Sequence, residues 1–301
     1  METSSIKNWI TAFRLRTLPL SVSGILLGSM LAYDTGKFDS LVFILALSTV
    51  IFLQVLSNLA NDLGDGMKGT DNENRVGPQR AVQSGAISVK AMKKAVILFS
   101  LLSLATGLPL AWLGTRGMPP SLFWIFIVLA LLCVLAAITY TVGKKAYGYL
   151  GLGDLFVFLF FGLLSVGGIF VLLTKQWDNL VLLPASAIGL LSAAVLNLNN
   201  MRDIENDQAS GKNTLVVKIG GNLAKKYHAF LIITPVLLLL LFSYLTTTPG
   251  YLFGLLVYVI LFPHLRTVMK NQQPRELDPE LKKVALSTFF FSLLISIWIL
   301  I

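Results

Sequence analysis

Seven of the fifteen Asp and Glu residues in this 301-residue chain fall in two short segments, Asp62, Asp65, Asp71 and Glu73 in one and Asp203, Glu205 and Asp207 in the other. In the first, Asn58, Asp62 and Asp65 stand at i, i+4 and i+7, a spacing that predicts three oxygen-bearing side chains on one helical face. Asn199, Asp203 and Asp207 repeat the device at i, i+4 and i+8. Oxygen clusters of this kind suit Mg²⁺, a hard cation usually held by one or two carboxylates plus substrate phosphates. Two such clusters facing each other would hold a metal-bridged diphosphate, with Asp62, Asp65, Asp203 and Asp207 as metal ligands and Asn58 and Asn199 beside the substrate. Lys68, Arg75, Arg80, Arg202 and Lys212 flank the acids and would neutralise the remaining phosphate charge, arginine in a bidentate manner. A proton relay in a transporter would keep few cations beside its acids, and here there are many.

The elements that must position these residues are membrane helices. Hydrophobic residues make up 55% of the chain and charged residues only 13%, against roughly a quarter charged in soluble domains. Charge-free segments long enough to cross a hydrocarbon core recur at 17–33, 41–61, 95–115, 121–143, 155–174, 179–201, 229–265 and 284–301. The seventh is too long for one helix, and Thr246-Thr247-Thr248-Pro249-Gly250 divides it in two. The expectation is an all-α polytopic protein of nine transmembrane helices forming a single domain over 1–301. Lys7, Arg14 and Arg16 precede the first apolar run, and nothing after it resembles a cleavage site, so the first span is expected to be retained. With one cysteine, Cys133, an internal disulfide and a cysteine-based metal site are both excluded.

Nine spans divide the 24 Lys and Arg residues into 21 on one set of alternating loops and three, Lys37, Arg116 and Lys175, on the other. The positive-inside rule then puts the N-terminus and both acidic segments in the cytoplasm and the C-terminus outside. The net charge of +9 is therefore mainly topology. A nucleic-acid site would need aromatic platforms along a basic groove, and these cations sit in separate short loops.

Several patterns fail on inspection. Gly211-Lys212-Asn213-Thr214 hints at a phosphate loop, but Asn206 stands where that motif requires Gly. Asp62-x-x-Asp65-Gly66 opens like the CDP-alcohol phosphotransferase signature, and Gly69 and Thr70 then break it. His228 and His264 form no metal motif and are expected as packing or interfacial residues. Phe156, Phe158, Phe160 and Phe161 are candidates to line a lipid-tail cavity.

At the two acidic segments the chain resembles the UbiA superfamily of intramembrane prenyltransferases. The resemblance spans most of the sequence: nine helices, Asp-rich motifs after the second and sixth, and polar loops on one side. The first motif reads Asn58-Leu-Ala-Asn61-Asp62-x-x-Asp65-x-x-x-Gly69-x-Asp71-x-x-x-Arg75-x-Gly77-Pro78-x-Arg80. The second reads Asn199-Asn200-Met201-Arg202-Asp203-x-x-x-Asp207-x-x-x-Gly211-Lys212-x-Thr214-Leu215. These, with Tyr140-Thr141 and Tyr147-Gly148-Tyr149-x-Gly151-x-Gly153-Asp154, are similar to the bacterial branch that prenylates 1,4-dihydroxy-2-naphthoate. The first motif has Asp-x2-Asp where the superfamily has Asp-x3-Asp, leaving Asp65 and Asp71 as alternative second ligands. The resemblance implies a Mg²⁺-dependent enzyme of the bacterial cytoplasmic membrane. It would move a polyprenyl group from its diphosphate to 1,4-dihydroxy-2-naphthoate, with loss of the ring carboxylate, giving demethylmenaquinone. Asp62, Asp65, Asp203, Asp207 and Tyr140 would be catalytic, and Tyr140, Lys144, Lys145 and Asp154 would orient the acceptor or cap the site. Another aromatic acceptor, 4-hydroxybenzoate or homogentisate, is the alternative, and an ion-coupled transporter using Asp62 and Asp203 is a more distant one.

The charge split yields the first prediction. A reporter fused after Ile301 will lie outside the cytoplasm and one inserted near Gln272 inside. A cytoplasmic C-terminus would mean that the span count is wrong at 246–250.

Overall fold

The computed structural model describes residues 5–72 and 76–301, so Glu73 and Arg75 lie outside the described residues. Helix α1 (Ile6–Phe13) turns at Arg14, in the left-handed region at φ 49°, and leads into α2 (Leu18–Asp34). Then come α3 (Ser40–Lys68), α4 (Val89–Gly114), α5 (Pro120–Thr139), α6 (Gly153–Thr174) and α7 (Leu182–Arg202). Two short helices follow, α8 (Ile204–Ala209) and α9 (Leu215–Ile219), before α10 (Gly221–Leu245), α11 (Pro249–Lys270) and α12 (Asp278–Leu300). Among the described residues nine helices are long and apolar enough to cross a membrane. No strand forms among them, as expected where hydrocarbon offers no partner to an open sheet edge. This is a multi-pass membrane protein.

Local sequence sets the helix ends. The Asp39 carboxylate caps α3 by accepting the Leu41 and Val42 amides at 2.9 and 3.1 Å, and the Ser88 hydroxyl caps α4 by accepting the Ala91 amide at 3.3 Å. The expected break falls in place, with α10 ending at Leu245 and Pro249 opening α11, where a missing amide costs nothing.

Helix α6 departs from the regular pattern. Its middle, Phe158–Gly168, winds as a π-helix between α-helical ends. This wider stretch fits between α2 and α7 because both present glycine to it. A Cβ on Gly28 of α2 would lie 2.3 Å from the Val166 carbonyl oxygen, and one on Gly189 of α7 would lie 2.8 Å from the Phe158 carbonyl oxygen. Phe158, expected toward a cavity, instead packs on Gly189.

Polar side chains inside the bundle find partners across helices. Ser21 donates to Gln54, and the Thr49 and Thr106 hydroxyls meet at 2.9 Å. His228 and His264, expected merely to pack, form a buried pair with Nε2 atoms 2.9 Å apart. His264 Nδ1 lies 2.6 Å from Glu280, and Lys283 donates to the other Glu280 oxygen at 2.6 Å. This chain ties α10, α11 and α12 together at one end.

A cavity of about 300 Å³ opens among α2 to α6. Along α3 it runs from Ala46 to Asn61, about 22 Å of helix at 1.5 Å per residue. Phe156, Phe160 and Phe161 do line it, together with Cys133.

The glycine contacts are testable. Gly28→Ala pushes a methyl group into backbone that cannot yield cheaply, and will cost about 1–3 kcal/mol. This will appear as a lower thermal midpoint in detergent. Gly167→Ala, whose Cβ meets nothing within 4 Å, will leave the midpoint unchanged.

Candidate functional site

Both acidic segments end in the same turn. After α3, Gly69 adopts φ 73°, and the Thr70 amide turns back to the Asp65 carbonyl at 3.1 Å. After α8, Gly211 adopts φ 69°, and the Lys212 amide turns back to the Asp207 carbonyl at 2.8 Å. Each is a left-handed helix stop that favours glycine, with the next amide bonded five residues back. Aligned on these turns, Asn61-x3-Asp65-x3-Gly69 matches Asp203-x3-Asp207-x3-Gly211. Asp65 is thus the structural counterpart of Asp207, and Asn61 that of Asp203.

The turns bring the two segments together. Lys212 Nζ sits between them, 3.7 Å from Asp65 Oδ2 and 3.5 Å from Asp207 Oδ1. The Asn206 side-chain amide donates to the Thr70 carbonyl at 2.9 Å. Tyr149, from the loop between α5 and α6, donates its hydroxyl proton to Asp65 Oδ1 at 2.7 Å, so at 2.6 Å Thr70 donates to Tyr149. The ring of Tyr149 lies 3.9 Å under Lys68 Nζ, a cation–π contact. Arg80 Nε stands 3.7 Å from Asp71 Oδ2.

The electrostatics follow from burial beside many charges. Burial pushes the Asp207 carboxyl up to about 6, Lys212 opposes, and Asp203 and Asp65 add to the rise. Burial also disfavours the Lys212 charge, but Asp65, Asp207, Tyr149 and Asp203 outweigh it and hold its pKa above the ordinary lysine value. The Tyr140 hydroxyl is pushed up by burial, then by Asp154, Asp65 and Asp207, and stays a proton donor. Asp154 is itself buried, with Tyr227 close by.

Several residues singled out from the sequence stand elsewhere. Asp62 gives both carboxylate oxygens to the 80–87 loop, accepting the Ala81 and Val82 amides at 3.0 Å each. The Asn58 side chain donates to the Phe13 carbonyl and the Thr17 hydroxyl, both at 2.9 Å, fixing the α1–α2 elbow. The two do share a helical face, but that face packs against protein. Arg202 is 2% exposed and already engaged: Nε and Nη2 reach Asp203 at 3.0 and 2.6 Å, Nη2 reaches Asn199 at 2.9 Å, and Nη1 reaches Asp278 at 2.5 Å. Neither Arg202 nor Asn199 is therefore poised to grip a phosphate. Lys145 is exposed and forms no ion pair among the described residues. Conversely, Asn61 and Tyr149 stand in the quoted motifs without an assigned role, and Asp278 lies outside them. The Asp-x3-Gly repeat would have pointed to Asn61, while Tyr149 and Asp278 approach from distant segments.

The cavity reaches this cluster through Asn61 and Tyr140, and its wall there is aromatic. Tyr140 meets Tyr147 edge-on at 5.2 Å, and Tyr147 stacks on Phe156 at 4.2 Å. Among the described residues no three carboxylate, His or Cys side chains converge closely enough to form a protein-only metal centre. What exists is a split set of buried carboxylate oxygens on either side of Lys212, with Asp207 Oδ2 buried and accepting no hydrogen bond. That fits Mg²⁺ shared with phosphate oxygens, which takes few protein ligands.

Comparison with known proteins accords with this geometry. The chain is 43% identical to the 1,4-dihydroxy-2-naphthoate octaprenyltransferase of Haemophilus influenzae, covering 100% of this chain and 98% of that protein. It is 42% identical to the Escherichia coli enzyme of the same name, covering 97% and 95%. A UbiA homologue from Aeropyrum pernix superposes with a TM-score of 0.68 at 18% identity, over 95% of this chain and 98% of that one. Another, from Archaeoglobus fulgidus bound to GPP and Mg²⁺, gives 0.61 at 17% identity, over 96% and 99%. Residues 21–294 match the UbiA prenyltransferase family, and the chain belongs to it.

Proposed function

We propose that the chain transfers a polyprenyl group from polyprenyl diphosphate to 1,4-dihydroxy-2-naphthoate in a bacterial cytoplasmic membrane, with Mg²⁺ as cofactor. The observation that carries this reading is the meeting of Asp65 and Asp207 across Lys212, one helical turn beyond Asn61, which lines the apolar cavity. The near-full-length similarity to naphthoate octaprenyltransferases supports the acceptor, and the relative bound to GPP and Mg²⁺ supports the donor and the metal.

In this reading Asp65, Asp207 and Asp203, with Asn61 and Asp71 beside them, would hold the divalent cation. When bound, the metal offsets the charge that develops on the departing diphosphate. Lys212, Lys68 and Arg80 add cationic contacts to the phosphate oxygens. The allylic C–O bond breaks with its electron pair leaving on the diphosphate. The cavity keeps water from the resulting allylic cation. The electron-rich ring attacks that cation, and the carboxylate leaves as CO₂, its bonding pair restoring aromaticity. Tyr140, held protonated, and Asp154 behind it orient the acceptor's polar edge, and the Tyr147–Phe156 stack offers its face a wall. The prenyl tail lies along the cavity and extends toward lipid.

The direct test uses purified protein with labelled polyprenyl diphosphate and carboxyl-labelled 1,4-dihydroxy-2-naphthoate. Prenylated product and labelled CO₂ will appear in equal amounts, and 4-hydroxybenzoate will not substitute. EDTA will stop the reaction and Mg²⁺ will restore it. Prenylation without CO₂ release would exclude the naphthoate reaction.

The two acids of the first motif will separate. Asp65→Asn will lower turnover at least about a hundredfold and weaken binding of Mn²⁺, used as a spectroscopic substitute. Asp62→Asn removes a charged acceptor from two amides and will cost about 2 kcal/mol of stability. It will leave Mn²⁺ binding by the folded protein intact. Equal loss of Mn²⁺ affinity in both variants would return Asp62 to the metal site.

A further inference from the structure

Tyr149 stands among the carboxylates and cations of the site, yet it carries no charge and does not line the cavity. Of the tyrosines at 140, 147 and 149, the first two form the aromatic wall of the cavity, whereas Tyr149 turns to the first motif. It donates its hydroxyl proton to Asp65 Oδ1 at 2.7 Å, since an ionised carboxylate can only accept. Its own oxygen accepts from the Thr70 hydroxyl at 2.6 Å. Thr70 follows the left-handed turn at Gly69, so this hydroxyl chain begins and ends on the first motif and passes through Tyr149. With Oδ1 held, the Asp65 carboxylate turns Oδ2 toward Lys212 and the second motif. A hydrogen bond from a neutral hydroxyl fixes the carboxylate without cancelling its charge, the usual way in which a ligating carboxylate is oriented. The ring meets the cations: Lys68 Nζ lies 3.9 Å from its centroid and Lys212 Nζ 5.7 Å, both within range of cation–π attraction. An aromatic face draws an ammonium group close and brings no negative charge that would compete with phosphate. The loop is tied to the second motif as well, because Lys218 of α9 donates to the Leu150 carbonyl at 2.7 Å.

We propose that Tyr149 is a positioning residue for the metal–diphosphate site: its hydroxyl aims Asp65 at the divalent cation, and its ring keeps Lys68 and Lys212 in place for the phosphate oxygens. Tyr149 acts through Asp65 and the two lysines. The loop between α5 and α6 thereby becomes a third element of a site that the sequence assigns to two motifs, with its hydroxyl on the first and its backbone fastened to the segment that follows the second. This inference rests on the reading that Asp65 and Asp207 hold a divalent cation.

The test measures Mn²⁺ binding by electron paramagnetic resonance on purified protein, then the affinity for inorganic diphosphate at saturating Mn²⁺, with thermal melting to establish that each variant is folded. Tyr149→Phe keeps the ring, adds no atom and loses only the hydroxyl. It will weaken Mn²⁺ binding about tenfold and leave inorganic diphosphate affinity within about twofold of wild type. Tyr149→Leu loses the ring too, and will bind inorganic diphosphate about fivefold more weakly than Tyr149→Phe. Wild-type Mn²⁺ affinity in Tyr149→Phe, while Asp65→Asn loses it, would overturn the role of the hydroxyl. Equal diphosphate affinity in Tyr149→Phe and Tyr149→Leu would overturn the role of the ring. Wild-type Mn²⁺ affinity in both Asp65→Asn and Asp207→Asn would overturn the metal reading itself.

Discussion

Negative charge held beside an apolar cavity is the constraint on which the rest of this structure depends. Asp65, Asp203 and Asp207 are each at most 6% exposed, and carboxylates this near one another in a low dielectric repel strongly. The fold offsets the repulsion with cations from different places: Lys212 between the motifs, and Arg202 on Asp203. A hydroxyl from Tyr149 adds to this at Asp65. Each helper is held by elements whose register is set by membrane-spanning helices. The positions of α3, α7 and α12, and of the loop between α5 and α6, are thus parts of one electrostatic arrangement.

The cavity imposes a second demand, because a helical bundle packed to ordinary density leaves no room for a lipid-sized substrate. Here the volume arises beside α6, whose π-helical middle turns Phe160, Phe161 and Leu164 toward the cavity. Its opposite faces press on the glycines of α2 and α7. Wide turns of this kind recur at functional sites, and glycine lets two backbones approach closely within a membrane. The packing that forms the wall and the chemistry at its mouth meet at Tyr140, Tyr147 and Phe156, where an aromatic surface runs up to the carboxylates.

The repeated Asp-x3-Gly turn shows how a single backbone device serves two segments in the same orientation. In both, the left-handed glycine reverses the chain so that the following residue folds over the acid, Thr70 in one and Lys212 in the other. Only the second supplies a cation, and it serves both acids. The asymmetry continues one turn earlier, where neutral Asn61 stands opposite the charged Asp203 with its arginine. Two helix ends of like geometry thus carry unlike charge.

The sequence alone determined the class of this protein, since hydrophobic stretches of membrane length and a breaker at 246–250 leave few alternatives to nine helices. It also marked the two segments that carry the chemistry, because carboxylates at membrane-helix ends are costly and concentrate where they are used. Tertiary structure decided which carboxylates face the site. Helical spacing places Asn58 and Asp62 together on one face, and they are together, but spacing is silent on what that face meets. It meets the α1–α2 elbow and the 80–87 loop. A rotation of about 100° per residue separates Asp62 from Asn61, so neighbours in sequence serve structure and site separately. Arg202 shows the same limit: its type suits phosphate, but Asp278 lies far along the chain, and only the packing of α12 against α7 reveals that its donors are already engaged. Tyr149 reaches Asp65 by the same kind of long-range approach. Local patterns encode helix, turn and charge, whereas the partner of a buried charge is set by which distant helices pack together.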